Sequence, residues 1–130
     1  MKLIFTLTTL LFGFTFLTGC RTQVAVDPLT GQEQTALFQA GFFFAPIEGN
    51  LNDAFKETIK VLDEMGYFRT GERHEKTAVN IYARKVGDEK VLVRLKQMPD
   101  EGNLEVRIRI GHLGNLAESQ TIYARIIDAL

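Results

Sequence analysis

Residues Thr77–Ile110 read TAVNIYARKVGDEKVLVRLKQMPDEGNLEVRIRI, and the periodicity of this stretch decides the fold. Val79, Ile81 and Ala83, then Val91, Val93 and Leu95, then Leu104, Val106, Ile108 and Ile110 recur at every second position. That is the period of an extended chain whose side chains point alternately to two faces. Gly87-Asp88 and Pro99-Asp100-Glu101-Gly102 are turn signals that divide the runs. The spacing predicts three antiparallel strands joined by hairpins, each with one apolar face.

Working outward, Leu51, Phe55, Ile59 and Leu62 recur at steps of three and four, behind the capping candidates Asn50 and Asn52 and ahead of a glycine stop at Gly66. This predicts an amphipathic helix. Asn115 with Glu118 makes a capping-box-like start to a second helix, whose stripe is Leu116, Ser119, Tyr123, Ile126 and Leu130. Thr35 to Ala45 is read as a first strand, with Phe38, Phe42 and Phe44 sharing a buried face and Pro46 ending it. Tyr67 to Arg73 is read as a further strand. The order strand, helix, strands, helix is not the alternation of a parallel fold. It predicts an α+β domain, an antiparallel sheet of about four to five strands with both helices on one face.

The 130 residues carry a formal net charge of −1 and are 45% hydrophobic, the composition of one globular domain. Near-neutrality removes the electrostatic basis for a dedicated nucleic-acid binder. The only cysteine, Cys20, cannot close an internal disulfide or build a multi-thiolate metal site. Its place is informative: Lys2 precedes an apolar run from Leu3 to Leu17, the layout of an export signal and shorter than a spanning helix of about 18 residues or more.

Leu17-Thr18-Gly19-Cys20 resembles the lipobox of bacterial lipoproteins. The resemblance implies a signal peptide over residues 1–19, cleavage before Cys20, and a thioether-linked diacylglycerol with a further acyl chain such as palmitate on the new N-terminus. Several chains anchor firmly, at about 0.8 kcal/mol per buried CH₂. The alternative is a short uncleaved anchor. Arg21 stands where an Asp would retain an enterobacterial lipoprotein in the inner membrane, so the expected location is the cell envelope, with the outer membrane facing the periplasm favoured over the inner membrane. Residues 20–34, which include the turn-rich DPLTG (Asp27–Gly31), are read as the lipidated N-terminus and a flexible tether, and residues 35–130 as the single domain.

From about Thr35 onward the chain resembles the DUF3568 family of small bacterial lipoproteins of unknown function. The segment IRIGHLGNLAESQTIYARI (Ile108–Ile126) carries the resemblance, supported by the more generic AFKETIKVLDEMGY (Ala54–Tyr67). It implies an envelope location and the fold just described, and assigns no catalytic residue.

Ser119 is the only serine and His74 and His112 the only histidines, so no residue pattern supplies a nucleophile beside an ordered base. Nor do two separated histidines suggest a metal site or cofactor. Gly111-His112-Leu113-Gly114 feeds a helix N-terminus and is a candidate anion loop, with Gly111, His112 and Gly114 its named members; a plain strand-to-helix turn is the simpler account. An enzyme built on His112 and that loop is the competing functional class, and a purely structural envelope protein a third. The stronger lead is charge. If the apolar parity of the three strands faces the helices, the opposite parity gathers Tyr82, Arg84, Arg94, Lys96, Arg107 and Arg109, countered there only by Glu105. Long Arg and Lys stems suit a solvated face. The same array suits an anionic envelope component or a protein partner, in a non-catalytic accessory or binding domain.

Overall fold

The computed structural model describes residues 22–26, 34–99 and 102–130. Seven strands form one antiparallel sheet: β1 (Thr22–Val26), β2 (Gln34–Gln39), β3 (Phe42–Glu48), β4 (Phe68–His74), β5 (Ala78–Lys85), β6 (Glu89–Gln97) and β7 (Asn103–Ile110). Their order across the sheet is β1-β2-β3-β7-β6-β5-β4. Two helices, α1 (Leu51–Glu64) and α2 (Leu116–Ala129), lie against each other and against β3 to β7. The α+β class and the antiparallel sheet stand as expected; the strand count of four to five was too low.

Two corrections account for the difference. Thr35–Ala45 is not one strand, because Gln39 pairs with Phe42 across a two-residue turn at Ala40-Gly41, both with positive φ. The chain reverses there, and the parity of the phenylalanines reverses with it. Phe43 is fully buried against the helices with Phe38 beside it, whereas Phe42 and Phe44 point to the other face. Nor does Pro46 end the strand. It sits within β3, beyond the last β2 pairing at Leu37↔Phe44, where a missing N–H leaves no ladder bond broken. Its carbonyl accepts a hydrogen bond from the Tyr123 hydroxyl at 2.6 Å. The second correction is β1. Residues 20–34, read as a tether, contain a strand paired in register with β2 from Thr22↔Phe38 to Val26↔Gln34. Cys20 and the DPLTG stretch lie outside the described residues.

The core is the parity read from the sequence. Ile81, Val93, Leu95, Leu104, Val106, Ile108 and Ile110 are essentially inaccessible, and Leu62, Ile122, Tyr123 and Ile126 close over them from the helices. On α2 the buried stripe includes Ile122, and Leu130, expected on it, is about half exposed. Asn50 caps α1 by accepting from the Asp53 N–H at 2.9 Å. Paired bonds from Gly66 N to Asp63 O and from Tyr67 N to Leu62 O end that helix and turn the chain into β4. Among the described residues no helix is long and apolar enough to cross a membrane.

Candidate functional site

The face of the sheet opposite the helices carries no described element, so its residues are half-buried only by one another. Pairing fixes who stands beside whom. One row across the sheet runs Gly71, Tyr82, Leu92 and Arg109, with the Phe42 ring against Arg109; the next runs Arg73, Asn80, Arg94, Arg107, Phe44 and Leu37. Arg107 lies over the Phe44 ring with its guanidinium carbon 4.6 Å from the centroid, and Arg109 over Phe42 at 4.7 Å. A stacked guanidinium is held by the ring face while its N–H edges stay available for an anion. The Arg109 Nη2 donates to the His112 carbonyl at 2.5 Å.

All six residues expected on this face are there, but the face is less uniformly basic than its strands suggest. Glu105 does hold Arg107, at 3.1 Å. Glu75, just past β4, reaches Arg94 at 3.1 Å, and Asp88 from the hairpin pairs with Arg84. Both acids sit in segments outside the three strands, which is why strand parity missed them. Among the described residues no carboxylate forms an ion pair with Arg109, Lys90 or Lys96, although Glu105 stands opposite Lys96 across β6 and β7. Lys90 and Leu92 share the open parity and were legible but not singled out. Phe42 and Phe44 were hidden by the misplaced turn.

The β5–β6 hairpin, the end of β7 and the 111–114 loop enclose a groove of about 840 Å³, lined among others by Tyr82, Arg84, Lys90, Leu92, Arg109 and His112. His112 is exposed, and among the described residues no hydrogen bond holds its ring. Ser119 is fully buried under α2, apart from it. Gly114 packs against the Gly41 backbone, and the Asn115 side chain accepts from the Glu118 N–H at 3.0 Å, so this helix end meets its own donors.

The Glu118 carboxylate turns back from the helix end to Lys85 at 2.7 and 2.9 Å and to the Tyr67 hydroxyl at 2.5 Å. Burial pushes its pKa up, yet the bonds from Lys85 and Tyr67 outweigh burial and leave it below the ordinary 4.5. The bond to Glu118 raises Lys85 above 10.5. Burial, then the bond and charge of Glu118, raise Tyr67 well above 10.0. This triad ties β4, β5 and α2 together on the helix side, away from the open face.

The strand through Gly111 and Gly114 into α2, which carries the resemblance noted above, is therefore a built strand-to-helix junction. The family model for a protein of unknown function, DUF3568, matches residues 2–129. The chain belongs to the DUF3568 family. A search of the curated proteins finds no match. For this DUF3568 member the open face and its groove are consequently read on their own chemistry.

Proposed function

We propose that this DUF3568 protein is a lipid-anchored protein of the bacterial envelope, acylated at Cys20, whose domain is a non-catalytic binding module. Its open face, through Tyr82, Arg84, Arg94, Lys96, Arg107 and Arg109, engages an anionic envelope component or an acidic partner surface. The observation that carries this reading is the stacking of Arg107 and Arg109 on Phe44 and Phe42 across a face that no described element covers. Such guanidinium forks suit phosphate or carboxylate. The outer membrane, facing the periplasm, is the favoured location, since Arg21 rather than Asp follows Cys20. The enzyme alternative has less behind it, because among the described residues the His112 ring has no orienting partner, and Gly114 is committed to packing.

The test is in-cell crosslinking from native membranes with Arg107→Glu plus Arg109→Glu. Crosslinked products should fall, while stability drops by only about 1 kcal/mol, since exposed ion pairs and cation–π contacts are individually weak. An unchanged crosslinking pattern in the folded variant would reduce these arginines to a solvated face.

A further inference from the structure

The register places the chain's entry point and its exposed apolar side chains at the same end of the sheet. Thr22 pairs with Phe38, Phe38 with Phe43, and Phe43 with Ile108; Val91 pairs with Ile110, and Arg84 with Lys90 and Phe68. The Ala40-Gly41 turn, the 111–114 loop, the β5–β6 hairpin and the start of β4 therefore follow one another along the same end of the strands as the start of β1, with β4 at the edge opposite β1. Val86 on that hairpin is 95% exposed, Leu113 on that loop 85%, and Phe68 at the start of β4 75%, with Tyr82 exposed beside them. Of the large exposed apolar residues among the described residues, only Leu130 lies elsewhere, a helix length of about 21 Å along α2.

The same rim carries a modest excess of positive charge. Arg84, Lys90 and Arg109 line its groove together with Asp88 and Glu89; Asp88 pairs with Arg84 and Glu89 with Lys85, whereas neither Lys90 nor Arg109 has a carboxylate partner among the described residues. The opposite end, where β3 leaves the sheet and α1 begins, is mixed in charge, with Glu48, Asp53, Glu75 and Glu105 beside Lys76 and Lys96. Apolar tips set among Arg and Lys are the chemistry of the bilayer interface, where rings and aliphatic chains enter the headgroup layer and cations meet phosphates.

We infer that this rim docks on the anionic surface of the membrane that carries the protein, with Val86, Leu113 and Phe68 entering the headgroup layer and Lys90, Arg84 and Arg109 meeting lipid phosphates. The inference rests on the anchored reading of Cys20. Only Arg21 separates that residue from β1, a reach of about 7 Å, less than one Debye length of about 8 Å at physiological salt. An anchor so short holds this rim, rather than the far end, against the lipid. The open face of the preceding section then stands beside the bilayer, and its groove opens toward phosphate headgroups.

The chain has no tryptophan, so V86W creates a single fluorophore at the rim, and L130W one at the far end of α2. Each full-length protein, purified from membranes, is reconstituted into vesicles of brominated phosphatidylethanolamine with or without phosphatidylglycerol. On anionic vesicles V86W should emit at shorter wavelength and be quenched at least twofold more than L130W. Adding Lys90→Glu and Arg109→Glu, or replacing phosphatidylglycerol by neutral lipid, should remove most of that difference. Lys90→Glu alone serves as a second variant should the first not fold. If the protein floats with the vesicles but V86W and L130W are quenched alike, docking is overturned while the anchor stands, leaving an acidic protein as occupant of the face. A chain that does not float overturns both. Quenching of V86W that ignores lipid charge overturns the role given to the phosphates.

Discussion

Arg94 and Arg107 stand directly opposite each other on neighbouring strands β6 and β7, a pairing of like charges in the middle of the open face. Such a pair is destabilising unless each member is compensated. Glu75 meets Arg94 at 3.1 Å, with Asn80 at 3.3 Å on the same guanidinium, and Glu105 meets Arg107 at 3.1 Å. The two acids are thus what permits a concentrated basic face on a neutral chain. Glu75→Gln should leave the repulsion uncompensated and cost about 0.5–1 kcal/mol at low salt. Near 1 M salt, where the Debye length is about 3 Å, most of the loss should vanish. Urea midpoints at the two ionic strengths measure this, and an equal loss at both would mean that Glu75 acts through packing.

Gly41 and Gly114 touch backbone to backbone, joining the β2–β3 turn to the loop that enters α2. A Cβ on Gly41 would sit 2.5 Å from the Leu113 carbonyl oxygen, and one on Gly114 would run into the Gly41 backbone. Gly114 also has φ +83. Gly114→Ala should therefore cost about 3 kcal/mol or more, the left-handed penalty plus a clash that only backbone movement relieves. Gly87→Ala, at φ +92 with nothing within 4 Å, should cost only about 1 kcal/mol. Similar losses for both would remove the close approach as the reason for Gly114.

What the sequence disclosed followed from period. Three strands with ten apolar residues of one parity can bury only that parity, and two helices with marked caps can cover only one face, so the β5–β7 core and the basic face were both readable. What was missed turned on residues that give no local signal. Ala40 adopts φ 51 where a turn of this type would usually advertise Asn or Gly, so the hairpin was invisible and Phe42 and Phe44 were assigned to the wrong face. β1 has five residues, too few for a period to emerge from polar surroundings. Glu118 was read as a capping-box partner. Its carboxylate does accept from the Asn115 side-chain amide, at 3.3 Å, but it also serves Lys85, 33 residues away, a long-range contact that sequence spacing cannot register.

That contact predicts a pH profile. Glu118 has a folded pKa below its ordinary 4.5, so its contribution is complete above that value and is lost as pH falls through the depressed folded pKa. Lys85 is raised, so its contribution is complete below 10.5 and is lost as pH rises through the higher folded value. Stability should be flat between these limits and fall on both sides. Glu118→Gln should lower it by about 1–2 kcal/mol at neutral pH and blunt the acid limb. Thermal melts from pH 3 to 8 would show this. An acid limb unchanged in Glu118→Gln would assign it to other carboxylates.

The last prediction concerns Cys20, on which the envelope reading depends. A chain with one thiol, placed after an apolar run and two small residues, has a use for it that neither disulfide nor metal chemistry supplies. If that use is acylation, a clickable fatty acid fed to expressing cells should label the parent protein and not Cys20→Ser. The variant should also accumulate at the size of the uncut precursor. The substitution precedes β1 (Thr22–Val26) in the chain, and the melting temperature of the domain should be unchanged. Loss of label with an unchanged melt would separate anchoring from folding. Equal labelling of both proteins would end the lipidation reading and the membrane docking inferred from it.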